Sequence, residues 1–249
     1  MSQEDVQKAL KKLVTRLRKE HGDAPTPDPA ATPEPVDGLD PMAQSLVYAF
    51  MLWEASAEQA RVATAKLLSD IVDLNELRVC LPSETVALIG SRYPRAIERC
   101  ERLRRVLNAL WQVEHQVTLE HLTDMSKRNA RTYLDELDGM TPFVSARLAL
   151  VTQDAHAAPM DERLTALLVG EGVVEAEESE KVSSKLERVL RAGEAMEFYT
   201  LLERWSASSG DAPAQKTTKK PAAKKKSKST KKTAKKQAKG ASAKRGEAS

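Results

Sequence analysis

The chain has 249 residues, 41% hydrophobic and 4% aromatic, which is enough for a sizeable core in one or two domains, packed mainly by leucine, alanine and valine. The formal charge of +3 conceals two parts: Asp211 to Ser249 carries fourteen Lys/Arg against two acids, net +12, and the remainder carries 25 against 34, net −9. No run of eighteen apolar residues exists and the opening MSQEDVQKALKK has no apolar h-region, so neither a membrane span nor a secretory signal is expected. The expected location is cytoplasmic and nucleoid-associated, or nuclear in a eukaryote.

In chain order, residues 1–22 place Val6, Leu10, Leu13, Val14 and Leu17 on one stripe ahead of Gly22, which predicts an amphipathic helix whose partner is either the core or another protein. Residues 23–41 are too rich in proline and too poor in apolar side chains to fold and read as an extended linker. From 42 to 206 the periodicity is helical throughout, predicting helices over 42–54, 57–70, 73–79, 83–90, 94–113, 118–122, 126–136, 142–152, 161–170, 178–192 and 195–206. The breaks carry capping residues, among them Ser83 after Pro82, Ser126 and Gly193. No alternating strand and no repeat is found, so the expected class is all-α, with one helical domain. Cys80 and Cys100 lack a CxxC spacing or a paired His and read as buried thiols. Residues 207–249 collapse to Lys, Ala, Ser, Thr and Pro and are expected to be disordered in isolation.

The tail is matched to a polyanion. Lys219, Lys220, Lys224, Lys225, Lys226, Lys228, Lys231, Lys232, Lys235 and Lys236 are expected to bind duplex phosphates by counterion release, independently of sequence and steeply dependent on salt. It resembles the lysine-alanine-proline tails of linker histones and bacterial histone-like proteins. No aromatic or apolar face accompanies the lysines, which argues against a membrane partner.

The stretch LDGMTPFVSARLAL reads as a helix-turn-helix hairpin: Gly139 makes the turn and Pro142 opens the second helix. Gly139, Met140 and Thr141 are the candidate backbone contacts to phosphate, because such turns align N–H groups at a helix N-terminus. An ordinary turn would carry the same signature. SRYPRAIERCERLRR supplies the candidate basic patch of the body, Arg92 and Arg95 foremost, with Arg99, Arg102, Arg104 and Arg105 behind them. Some of these are expected to pair with Glu98 and Glu101 instead.

The order of elements from Met42 to about Ser206 resembles the helix-hairpin-helix DNA glycosylase superfamily, in its endonuclease III branch. The landmarks are SLVYAFMLWEASAEQARVATAKLL from Ser45, ALIGSRYPRAIERCERL from Ala87, the hairpin from Leu137 to Ser145, and Pro159-Met160-Asp161. The resemblance implies a helical DNA-binding fold with base-excision ancestry. Its departures are chemical. The Schiff-base lysine position falls on Phe143, the second hairpin glycine is Thr141, the gap-filling polar residue is Glu54, and the cysteine quartet of an iron-sulfur cluster is absent. No cofactor and no metal is therefore expected, and no lyase step. Asp161 survives with two roles open: activating water at a flipped nucleotide, as monofunctional members do, or simply capping the helix ERLTALLVG.

Trp53, Trp111 and Trp205 are expected in the core, and His115, His121 and His156 show no metal spacing. Three functions stand. The first is a DNA-binding protein on a degenerate endonuclease III-like fold, gripping phosphate mainly through the tail and leaning away from catalysis. The second is a monofunctional glycosylase using Asp161, and the third an interaction module at nucleoid or chromatin that uses the N-terminal helix.

Overall fold

A computed structural model describes residues 1–24 and 34–208. The lysine-rich tail and most of the proline-rich linker fall outside them. Of the twelve helices that the periodicity predicts, eleven form as α-helices among the described residues, the segment expected over 118–122 forms only a 3-10 turn at Glu120–Asp124, and no strand forms. The first is α1 (Gln3–His21), opened by a Ser2–Asp5 capping box and closed at Gly22.

The core is built on two mostly apolar helices buried over most of their length, α2 (Pro41–Leu52) and α8 (Pro142–Gln153). Helices of twelve residues with no continuous polar face must lie inside other helices. Accordingly α3 (Ala57–Ser69), α6 (Ala96–Glu114) and α8 pack on α2, and α7 (Lys127–Glu136) packs on α8. The short helices α4 (Leu74–Val79) and α5 (Pro82–Ile89) lie against α6. The remaining helices are α9 (Glu162–Gly170), α10 (Ser179–Val189) and α11 (Ala195–Ser208).

Polar side chains fix the joints. Asp40 caps α2 through Met42 N–H at 2.8 Å and also accepts from Leu119 N–H at 2.6 Å, tying the segment after α6 to the start of α2. Buried Gln44 exchanges hydrogen bonds with Val36, closing the end of the linker onto α2.

The apolar stripe of α1 takes the first of the two partners open to it. Val6, Leu10, Leu13 and Leu17 are buried, and α1 packs on α10 and α11. Its apolar face is thus part of this chain's own core and is not offered to a protein partner. Arg18 pins it further, donating to both carboxylate oxygens of Glu197 at 2.6 Å. Among the described residues no helix is long and apolar enough to cross a membrane.

Candidate functional site

The hairpin is shaped by a close approach to α6. Gly139 adopts φ +92°, and a Cβ there would lie 2.6 Å from the Arg102 carbonyl oxygen and 2.9 Å from Arg105 Cβ. Only glycine meets both demands. The Met140 N–H donates to the Leu137 carbonyl at 3.0 Å, so it is engaged within the turn. Thr141 is buried and caps α8, its Oγ1 accepting from Val144 N–H at 3.2 Å. A hydroxyl cap thus stands where the resemblance implies a glycine. Phe143, on the first turn of α8, is 2% exposed and belongs to the core.

Asp161 is the N-cap of α9, and its side chain is 0% exposed. Both oxygens are engaged. Oδ1 accepts from Leu164 N–H at 2.8 Å, and Oδ2 accepts from Glu54 N–H at 3.0 Å. Arg163 Nε lies 3.6 Å from Oδ2, and the same guanidinium pairs with Glu203 at 3.0 Å and donates to Ser206. The capping role is therefore realised, with a buried ion network added behind it.

Glu54 sits in the α2–α3 turn at φ +59°, a backbone region that costs a non-glycine residue free energy. Its Oε1 accepts from Glu162 N–H at 2.8 Å, so two carboxylates from different elements serve the first turn of α9. Burial, and then the charge of Asp161, push the Glu54 carboxyl up to about 7. Burial likewise raises Glu203, against the pull of Arg163.

The arginine-rich segment divides in the fold. Arg99 is 0% exposed and donates to the carbonyls of Phe50, Trp53 and Pro94, capping the C-terminal end of α2 from inside. Burial draws its pKa down to about 10. It is thus removed from the candidate DNA-facing patch, because its fork is needed by unsatisfied helix carbonyls. Arg95 pairs with Glu98 and Glu162, Arg102 with Glu98, and Arg105 with Asp138. Arg95, Arg99 and Arg102 all lie over the Trp53 ring, at 5.2, 5.8 and 5.7 Å from its centroid. Arg92 and Arg104 are exposed with no ion pair among the described residues.

Sequence reasoning missed Arg99, Arg163 and Glu203 as interior charges. One signal was available for Arg99. It stands three residues after Ala96 and four before Leu103, both on the buried stripe of α6. Trp53 lies in the core as expected, but Trp111 is 38% exposed, its ring covered by Arg78 at 4.6 Å. Cys100 is buried and Cys80 half-buried at the end of α4, both free thiols. Two surface cavities lie away from the hairpin. One of about 370 Å³ is lined by Asp40, Asp73 and Thr118, and one of about 240 Å³ by Lys12, Arg16 and Glu171.

No family model and no curated protein matches the sequence. Three solved structures resemble the fold. A trapped endonuclease III–DNA covalent intermediate, in an estranged-adenine complex, is 11% identical with TM-score 0.62, over 89% of this chain and 93% of that one. The chain has the endonuclease III-like helical fold. A thermostable thymine-DNA glycosylase shares it at 14% identity and TM-score 0.56, covering 82% of this chain and 87% of the other. An 8-oxoguanine glycosylase/lyase from Clostridium acetobutylicum, in complex with duplex DNA containing cytosine opposite 8-oxoG, shares it at 10% identity and TM-score 0.58, covering 84% and 71%. Within this endonuclease III-like frame the iron-sulfur cluster that the resemblance implies has no fit. Four thiolates are needed, and the chain has two cysteines, placed on α6 and at the end of α4.

Proposed function

We propose that the protein binds DNA on an endonuclease III-like frame that has lost its covalent chemistry, with the lysine-rich tail as the principal, sequence-independent grip on duplex phosphate. One observation carries this reading. The Asp161 carboxylate has both oxygens engaged by backbone N–H groups and no exposed surface, while Phe143 fills the core at the position where a nucleophilic amine would stand. A buried, doubly occupied carboxylate has no face from which to activate water at a sugar carbon. The pairing of Arg95, Arg102 and Arg105 with acids supports the tail as the main source of phosphate affinity, since neutralised arginines contribute little long-range attraction. Such a protein would reside with the nucleoid, or in a nucleus.

A second reading is favoured by the Glu54 carboxyl. Burial pushes it up to about 7, and a carboxyl raised toward neutrality is the usual equipment of acid-base catalysis. In that reading the protein is a monofunctional glycosylase.

The test is duplex binding across a salt series, comparing the full chain with a full chain in which the ten named tail lysines, Lys219 to Lys236, are replaced by glutamine. Alongside it, base release from a panel of damaged duplexes is measured with and without Asp161→Asn. The binder reading expects the salt slope to fall by about 0.9 for each docked lysine lost, and no base release. Release that depends on Asp161 supports the glycosylase instead.

A further inference from the structure

The described residues contain eight lysines, and they divide evenly. Lys66 donates to the Leu88 carbonyl, Lys127 pairs with Asp154, Lys181 with Glu178 and Lys185 with Glu177. The other four, Lys8, Lys11, Lys12 and Lys19, are exposed and have no ammonium partner among the described residues. All four lie on α1.

They also lie on one face of it. At about 100° per residue, Lys8, Lys12 and Lys19 fall within roughly 40° of one another and Lys11 about 60° to one side. The buried Val6, Leu10, Leu13 and Leu17 occupy the opposite side. The two arginines of the helix stand between these faces and are tied inward, Arg16 to Glu171 and Arg18 to Glu197. The acids of α1 are largely engaged as well: Asp5 holds Ser2, and Glu20 lies 3.8 Å from Arg16, leaving Glu4 at the N-terminal end of the ridge. On a body whose net charge is negative, this crown of free ammonium groups is a local reversal of sign.

We propose that the outer face of α1 is a second nucleic-acid-binding surface, in which Lys8, Lys11, Lys12 and Lys19 dock along the phosphate backbone of a duplex. The inference rests on the DNA-binding reading above and adds an ordered contact to the tail. Lys8 to Lys19 spans about 16 Å of helix at 1.5 Å per residue. One strand presents a charge about every 3.4 Å of duplex axis, so the ridge passes about five phosphates. Lysine ammonium groups on flexible stems suit such point-charge contacts and carry no base-reading geometry. An anionic bilayer is the poorer match. Surface-bound amphipathic helices insert their apolar face into lipid, and here that face is buried in the core.

The experiment uses the full chain. Lys8, Lys11, Lys12 and Lys19 are replaced together by glutamine, and a charge-matched control replaces Lys66, Lys127, Lys181 and Lys185. The readout is the slope of log affinity against log salt on duplex DNA, with helix content checked by circular dichroism. The ridge variant is expected to lose about 0.9 of slope for each docked lysine, approaching 3.6 for four, while the control keeps most of its slope. Equal slopes in ridge variant and control overturn the proposal. So does a ridge variant that keeps its DNA slope but loses binding to phosphatidylserine–phosphatidylcholine vesicles. The tail-neutralised chain separates the two readings. If it alone loses slope, the α1 surface fails and the tail stands; if the ridge variant alone loses slope, the tail fails and the α1 surface stands.

Discussion

The backbone N–H of Glu54 donates to Asp161 Oδ2 at 3.0 Å, and the backbone N–H of Glu162 donates back to Glu54 Oε1 at 2.8 Å. The turn between α2 and α3 is thereby clamped to the first turn of α9 by two carboxylates 107 residues apart in sequence. The clamp brings two acids together in a largely dry place, and its consequences can be measured.

Glu54 sets a pH dependence. Its carboxyl is raised from an ordinary 4.5 to about 7, so the folded state binds more protons than the unfolded state between those values. Stability therefore falls as pH rises through that window and levels off above about 7. Glu54→Gln retains an acceptor for Glu162 N–H and removes the charge. At pH 8 it is expected to be more stable than the parent by on the order of 1–2 kcal/mol, with the gap closing toward pH 4.5. Urea unfolding across pH reads this directly, and an unchanged pH profile in the variant would sink it.

Asp161 is structural in this arrangement, whatever else it does. Asp161→Ala leaves Leu164 N–H and Glu54 N–H without acceptors and removes a carboxylate from beside buried Arg163. The expected cost is about 2–4 kcal/mol, well above that of an exposed acid. A loss under about 0.5 kcal/mol by chemical denaturation would contradict the clamp.

Gly139 is held by geometry on two counts, a positive φ and a 2.6 Å approach to the Arg102 carbonyl. Gly139→Ala must push the hairpin away from α6 and strain its own backbone, at a cost of about 2–4 kcal/mol. The midpoint of thermal unfolding should fall accordingly, and a parental midpoint would show that the hairpin does not seat there.

Phe143→Lys restores the residue type that the covalent chemistry requires, but it places an ammonium in the core. The variant is expected to lose on the order of 3 kcal/mol or more. It should also form no borohydride-trapped adduct with abasic duplex DNA, because the amine would have no open route to the sugar. A trapped adduct would show that the site opens.

Much of the fold was legible because its helices announce themselves locally. Ser126 caps the helix that follows it as its position foretells, whereas α5 opens at Pro82 with Leu81 at its N-cap, which puts Ser83 inside the helix; the periodicity placed most boundaries within a residue or two. The candidate site was less legible. SRYPRAIERCERLRR reads as a basic patch, yet Arg99 turns inward to the carbonyls of α2, and its neighbours pair with Glu98, Glu162 and Asp138. Trp111 reads as core on its helical position but is 38% exposed, with Arg78 over its ring.

By itself the sequence determined the helical class, the Ser126 cap, the absence of a hairpin lysine and of a cysteine quartet, and the concentration of positive charge in the tail. These are properties of residue type and short-range spacing, which need no partner distant in the chain. Only the tertiary structure decided that Glu54 and Asp161 share the start of α9, that Arg99 is interior, and that the apolar stripe of α1 is buried on α10 and α11, leaving its lysines outward. Each of those depends on which unsatisfied backbone groups and apolar surfaces from remote segments meet on folding, a relation that local spacing does not encode.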